Sequence, residues 1–251
     1  MSLTLSFDRN ALSADKITLP SRFYRFDERG ENYVKILAIG DGLFPKDKVN
    51  ISLKLKDSNL VLTNESASKV HKSEGDFAVC RYNFAILGGS NLEFINDEVI
   101  PFGGSKTLQF FRISLDQNSG FFYCDLLSKG RSFERYNFSS FAVKNLFTID
   151  GKVEYMERYE ISGSWLLDYL NRRGKKEALF AKIYAKAIDN DSFALKLVEA
   201  GIAACEYTQN KRLLIALIVE EKISAVKKKI DIAWRLYREI IGKGAFDLGK
   251  R

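Results

Sequence analysis

The sequence predicts a mainly β protein: many short strands in a sandwich or coiled stack of sheets, with a few helices in the C-terminal third. Three observations carry that expectation. Apolar and polar residues alternate at period two through most of residues 1–161. Polar or glycine-bearing turns stop the runs, as at Gly40-Asp41-Gly42, Gly88-Gly89-Ser90 and Gly103-Gly104-Ser105. Beyond residue 161 the apolar spacing shifts towards three and four. The expected organisation is a single domain over 1–251, with a strand-rich body (1–161) and a mixed helix and strand part (162–251).

In order, residues 3–7 alternate and open the body. Residues 16–19 and 21–26 are two more strands, divided by Pro20, which has no N–H for a ladder. Residues 33–39 (YVKILAI) form a more buried strand that ends at Gly40-Asp41-Gly42. A loop over 43–47 leads to a strand at 49–55 and a turn at 56–59. The stretch 59–102 is central, with strands at 60–64, 77–87, 91–95 and 98–102. Its polar run 65–71 holds the one histidine of the chain, His71. Strands at 107–114, 121–128 and 136–149 follow, and Asp150-Gly151 is a hairpin turn into 152–161. About a dozen strands of roughly five to ten residues result. No repeat of about 20–50 residues stands out.

In the last third, 164–173 reads as a short helix capped by Ser164 and stopped by Gly174. Residues 178–187 (ALFAKIYAKA) read as a strand, because Ile183-Tyr184 and the alternating lysines suit a sheet. A compact helix over 192–200 has Asp191 or Ser192 as its cap and Gly201 as its stop. Strands at 203–208 and 213–219 pair, and 222–241 is the clearest helix. Its main stripe is Ile223, Val226, Ile230, Trp234, Tyr237 and Ile241. Ile232 and Leu236 lie about 180° away. Lys227, Lys228, Asp231, Arg235 and Arg238 form a charged sector between the two. A second apolar face means deeper burial or a partner protein. In the second case Ile232, Leu236, Arg235 and Glu239 are the candidate contacts.

Composition bounds the function. With 46% hydrophobic and 28% charged residues, the chain can bury a substantial core. Its net charge of +7 is scattered among acidic residues, so nucleic acid is not the expected partner. Cys80, Cys124 and Cys205 are far apart with no CxxC pair, which points to a reducing compartment, and Cys80 and Cys124 read as small buried residues. Neither a signal pattern nor an apolar run of about 18 residues occurs, so a cytoplasmic location is expected, away from membranes.

No phosphate-binding G-x-x-x-x-G-K-[ST] loop occurs. Ser66 and Ser68 lie near His71 in sequence, but no nucleophile elbow surrounds them. Glu65, His71, Asp97 and Glu98 are donors at strand ends, and nickel accepts imidazole and carboxylate. One histidine makes a poor tight site, so weak, transient contact with an ion is the metal reading. A turn residue bonded to backbone is the structural one. Two further readings stand open: a basic β-rich nucleic-acid-binding or structural protein, and a hydrolase using His71.

Four segments resemble the urease accessory protein UreD family, called UreH in some organisms. Thr63 to His71 (TNESASKVH) is similar to its thr-x-gln-x-x-x-lys-val/ile-tyr/his segment. Asp97 to Phe102 is similar to its glu-x-ile-pro-phe strand, and Asp125 to Arg131 to its gly-arg turn. Gly42-Leu43-Phe44 with Asp47 resembles its gly-gly-leu-x-x-gly-asp loop. Order and spacing agree over 33–161, and Trp234 and Arg238-Glu239-Ile240-Ile241-Gly242 fit at the C-terminal end. Three features depart from the pattern. Pro45-Lys46 replaces glycines, Glu65 stands where glutamine is common, and a proline-arginine-tryptophan ending is missing after Gly242.

The resemblance implies a β-helical arrangement capped by helices, with no enzymatic activity and no cofactor of its own. It implies binding to apo-urease and to a helical partner, UreF, through which the nickel-carrying GTPase UreG is recruited. The task would be to help place nickel in urease, and transient nickel would run through an internal polar passage. By motif position, Glu65, Ser66, Lys69, His71, Asp97 and Glu98 are the passage or interface candidates.

Overall fold

Period-two alternation gives each strand one apolar face, and such faces are buried by pairing sheet against sheet. The computed structural model describes residues 1–28, 30–37, 40–202 and 204–249. The expected strands at 33–39 and 203–208 include Ala38, Ile39 and Ala203, which lie outside the described residues. The strands in chain order begin β1 (Ser2–Asp8), β2 (Ala11–Thr18), β3 (Arg22–Glu28), β4 (Glu31–Leu37), β5 (Lys48–Lys56), β6 (Asn59–Asn64), β7 (Ser68–Val70) and β8 (Ala78–Leu87). They continue with β9 (Asn91–Ile95), β10 (Val99–Pro101), β11 (Lys106–Leu115), β12 (Gly120–Leu127), β13 (Ser140–Ile149) and β14 (Lys152–Ile161). Helix α1 (Gly163–Arg172), β15 (Leu179–Lys186), α2 (Asn190–Glu199), β16 (Cys205–Tyr207), β17 (Leu214–Glu220) and α3 (Ile223–Ile240) complete the chain.

Among the described residues, the first sheet has the order β14-β13-β11-β8-β5-β1-β2 and the second β16-β17-β15-β12-β9-β6-β4-β3. The central strands of both sheets run parallel, and antiparallel partners close their ends. From β4 to β13 the chain thus alternates between sheets, and successive coils stack as in a solenoid. Asn64 and Asn96, 32 residues apart in sequence, become neighbours. A coil of about 30 residues therefore exists where the sequence showed no repeat. The coils share inward parity rather than residue identity, and their turns differ in length. The C-terminal third continues the second sheet, because β15 joins β12 antiparallel.

The register aligns inward side chains into rows. Leu5, Leu53, Phe84, Ile113 and Phe147 form one row in the first sheet. Val34, Leu62, Phe94, Tyr123 and Tyr184 form one in the second. The rows meet in a buried core where Phe111 stacks on Tyr123 at 4.1 Å between centroids. Such pairs add about 0.5–1.5 kcal/mol beyond the area they bury.

The other face of the second sheet holds a second core, with Val61, Phe122, Cys124, Ile183 and Ala185 beneath α2 and α3. The α3 stripe is buried as expected at Val226, Ile230, Trp234 and Tyr237. Arg238, expected in the charged sector, is instead 1% exposed. The reason is Glu93, at 0% exposure on the helix-facing side of β9. The Arg238 guanidinium donates to Glu93 Oε2 at 2.7 Å and to Glu31 Oε1 at 2.5 Å, and Trp234 Nε1 donates to Glu93 Oε2 at 2.6 Å.

Other expectations shift for local reasons. β2 starts at Ala11, because Arg9 and Asn10 take positive φ and form a tight hairpin. β13 starts at Ser140, four residues after Tyr136, whose φ of 56° breaks the strand. β7 appears inside the polar run 65–71, paired with β10. The helix caps are Ser162 and Asp189 rather than Ser164 and Asp191 or Ser192; they accept from Trp165 N at 3.2 Å and Ser192 N at 2.9 Å. Each helix begins before its apolar spacing becomes visible.

Burial pushes the Glu93 carboxyl above its ordinary range, against the pull of Arg238. Arg238→Ala leaves that carboxylate buried without its principal partner. A loss of about 3–5 kcal/mol in urea unfolding at neutral pH is expected, and most of it should return when Glu93→Leu is combined with Arg238→Met. A single-variant loss below about 1 kcal/mol would show the pair to be solvated.

Candidate functional site

The third inward row of the second sheet is polar. Asn64 follows Leu62 on β6, Asn96 lies one residue beyond β9, Asp125 follows Tyr123 on β12, and Lys182 pairs across from Asp125 on β15. The same parity that buries Leu62, Phe94 and Tyr123 carries these polar groups inward. Asn64 Nδ2 donates to Asn96 Oδ1. The first sheet answers with Gln109, whose Nε2 donates to Asp125 Oδ2 at 3.0 Å. Tyr82 brings its hydroxyl beside Asn64.

At the β14–β15 side, Lys182 is paired with Glu157. Tyr184 OH donates to Glu157 Oε2 at 2.5 Å, and Asn145 Nδ2 lies 3.1 Å from Tyr184 OH. Lys182 Nζ also sits over the Tyr159 ring at 4.6 Å. A cavity of about 100 Å³ at one end is lined by Asn64, Ser66, Lys69, Cys80 and Tyr82. A groove of about 290 Å³ at the other includes Asp125, Tyr159 and Lys182. Asn96 also borders a wider cleft of about 570 Å³ beside α3. Burial pushes the Cys80 thiol up to about 12, which keeps it protonated.

The residues singled out in the sequence divide into three places. Ser66 and Lys69 lie at the first mouth, and Glu65 is exposed beside it, its N–H donating to Ile36 O at 2.8 Å. His71 stacks on Phe44 at 4.2 Å and meets the edge of Phe102 at 5.1 Å, with Nε2 3.0 Å from Asp41 O. The turn-bonded reading of this imidazole therefore matches its geometry. Asp97 and Glu98 reach Lys227 of α3 at 3.7 and 2.8 Å. Among the described residues, no three His, Cys, Asp or Glu side chains converge as a metal cluster.

On α3, Arg235 pairs with Asp231 at 3.0 Å and Glu239 with Lys196 of α2 at 3.0 Å. Ile232 and Leu236 are half-buried, and Leu236 packs against the second core. That contact narrows the second apolar face expected there. Sequence reading missed Asn64, Asn96, Gln109, Glu157 and Lys182 as site residues. It placed Asn64 and Asp125 only within motifs. The available signal was inward parity: Asp125 follows Phe121 and Tyr123 at spacing two, and Gln109 precedes Phe111.

Fold and site define a class: a stacked-sheet protein with a polar line in its core. A family model described as UreD urease accessory protein matches residues 2–247. The chain is 42% identical over 251 residues to urease accessory protein UreD of Aliarcobacter butzleri (strain RM4018), covering 100% of each. It is 30% identical over 136 residues to UreD of Prochlorococcus marinus subsp. pastoris (strain CCMP1986 / NIES-2087 / MED4), covering 50% of this chain and 46% of the relative. It is 29% identical over 106 residues to UreD 2 of Streptomyces griseus subsp. griseus (strain JCM 4626 / CBS 651.72 / NBRC 13350 / KCC S-0626 / ISP 5235), covering 42% and 36%. The chain belongs to the UreD urease accessory protein family, and its role lies in urease maturation. That family is one of accessory proteins rather than of catalysts, and no helix among the described residues is long and apolar enough to cross a membrane.

Burial pushes the Asp125 carboxyl up to about 6, with Lys182 and Gln109 pulling the other way. The folded protein then holds this proton more tightly than the unfolded chain does. Its contribution to stability is full below about pH 4 and is lost as pH rises through about 6. Asp125→Asn should flatten urea-measured stability between pH 4 and 7 by roughly 3 kcal/mol. An unchanged slope would show that Asp125 ionises as it does in water.

Proposed function

We propose that this chain is a cytoplasmic scaffold without a reaction of its own. It binds apo-urease and a UreF-like helical protein, reaches a UreG-like GTPase through that partner, and hands nickel towards the urease active site. The observation that carries the reading is the polar row that lies between two pockets in an otherwise apolar core. Burying such groups is costly unless they are hydrogen-bonded, and replacing them with apolar residues would pack as well. Nickel is the cargo. Carboxylate and amide oxygens at Asp125, Glu157, Asn64, Asn96 and Gln109 offer it weak ligands in sequence. Lys182 offsets the charge of Asp125 and Glu157, so the pair does not hold a dication tightly. Ser66 and Lys69 stand at one mouth, with Glu65 and His71 on the surface around it. Asp97 and Glu98, held by Lys227, border the α3 side. The exposed parts of Ile232, Leu236, Arg235 and Glu239 are the partner face.

Two measurements test this. Nickel incorporation into apo-urease, with the partner proteins present, should require the chain and fall about tenfold with Asp125→Asn plus Gln109→Leu, while the complex still elutes intact. Equal maturation without the chain would end the reading. Ile232→Asp with Leu236→Asp should weaken partner binding about tenfold or more while circular dichroism stays native. Loss of the fold would assign both side chains to the core.

A further inference from the structure

Helix α1 carries an aromatic and cationic ladder on its outer face. Trp165 is 56% and Tyr169 40% exposed. Their rings stack at 5.7 Å between centroids and 9° between planes. The Arg173 guanidinium lies 5.6 Å from the Tyr169 centroid. The three positions are four residues apart, so they stand one above another along the helix. The opposite face fixes the ladder, because Leu166 and Leu170 are buried and a Cβ at Gly163 would fall 1.5 Å from Tyr136 O. Trp165 and Tyr169 line the groove of about 290 Å³ together with Tyr159, Ile161, Phe180 and Leu217, and Asp125 and Lys182 also border it.

The segment that ends α1 is basic, and Lys175 also borders a pocket with Glu177, Glu220 and Glu221. Arg172, Arg173, Lys175 and Lys176 follow in sequence and are exposed. No ion pair to a carboxylate is formed by any of the four among the described residues. Asp168 is an exposed carboxylate on the same helix. Tryptophan, tyrosine and arginine on a rigid support are the residue types that dominate binding energy at interfaces.

We infer that the α1 face is a docking surface for an acidic amphipathic helix of a partner protein, with a leucine- or phenylalanine-sized side chain in the groove. Its carboxylates meet Arg172, Arg173, Lys175 and Lys176. Charge complementarity selects this occupant. A second copy of the chain would bring its own basic face and a net charge of +7. A membrane surface would cover the ladder but leave the concave groove unfilled. This surface is separate from α3, but its groove is the one that Asp125 and Lys182 border, so the occupant would cover that end of the polar row; the inference does not depend on nickel passing through the core.

The test uses the full chain and two labelled helical peptides of ~18 residues. Both carry leucine at three-and-four spacing. One has glutamate at its other positions, and its counterpart has lysine. By fluorescence anisotropy, the glutamate peptide should bind about tenfold or more tightly than the lysine peptide, and Trp165→Ala or Tyr169→Ala should weaken it about tenfold. Both side chains are exposed, and an unchanged melting curve confirms that each variant folds. Equal binding of the two peptides, or binding indifferent to both alanine variants, would overturn the inference. So would Trp165-dependent binding to vesicles of one part phosphatidylglycerol to three parts phosphatidylcholine without peptide binding.

Discussion

The parallel, in-register stacking of successive coils is the constraint on which everything else rests. Leu53, Phe84, Ile113 and Phe147 occupy one level because β5, β8, β11 and β13 pair without offset along that row. Leu62, Phe94 and Tyr123 do the same opposite them. A slip of one residue in any coil would turn its whole inward set outwards. The penalty is largest where aromatic rings interlock, as at Phe111 and Tyr123. The register that builds the apolar rows also lines up Asn64, Asn96 and Asp125, so the polar line and the core share one geometric cause.

The second sheet is buried on both faces, and this sets what the C-terminal helices do. Its outer face holds Glu93 between apolar neighbours, in a place where a lone carboxylate would not stay ionised. Arg238, Trp234 and Asn91 each donate to it, and Arg238 also donates to Glu31 and to Gly244 O. One guanidinium thereby ties α3, β9, the start of β4 and the segment after α3 together. A pair this buried is a weak source of net stability but a strict specifier of geometry. It fixes the rotation of α3, and with it which side of the helix faces outwards.

Strand positions were legible because alternation and turn chemistry are local. β5, β6, β8, β9 and β11 lie within a residue or two of where parity puts them, and β15 was distinguished from a helix by its β-branched and aromatic pair. The repeat was not legible, because coils align by parity while their residues and turn lengths differ. Nor was the polar row. Asp125 and Gln109 stand out only once the phase of each strand is known and two strands distant in sequence are placed face to face. Arg238 misled for the opposite reason. Helical spacing put it among charges, and its partner Glu93 lies 145 residues away.

The contrast between the two buried charge clusters separates architecture from use. At Glu93 a full set of donors surrounds the carboxylate, and the resulting anchor has no reason to exchange partners. At Asp125 the Gln109 amide and the Tyr123 hydroxyl bond to the carboxyl, and Lys182, paired with Glu157, acts on it through its charge. Burial lifts the carboxyl to about 6, and pockets border the row at Asn64 and at Asp125. The second keeps its groups close to alternative partners. Small rearrangements of Lys182 would change the charge around Asp125. Glu93 is thus an anchor for α3, whereas Asp125 sits where a pocket and a nearby cation leave its charge open to pH.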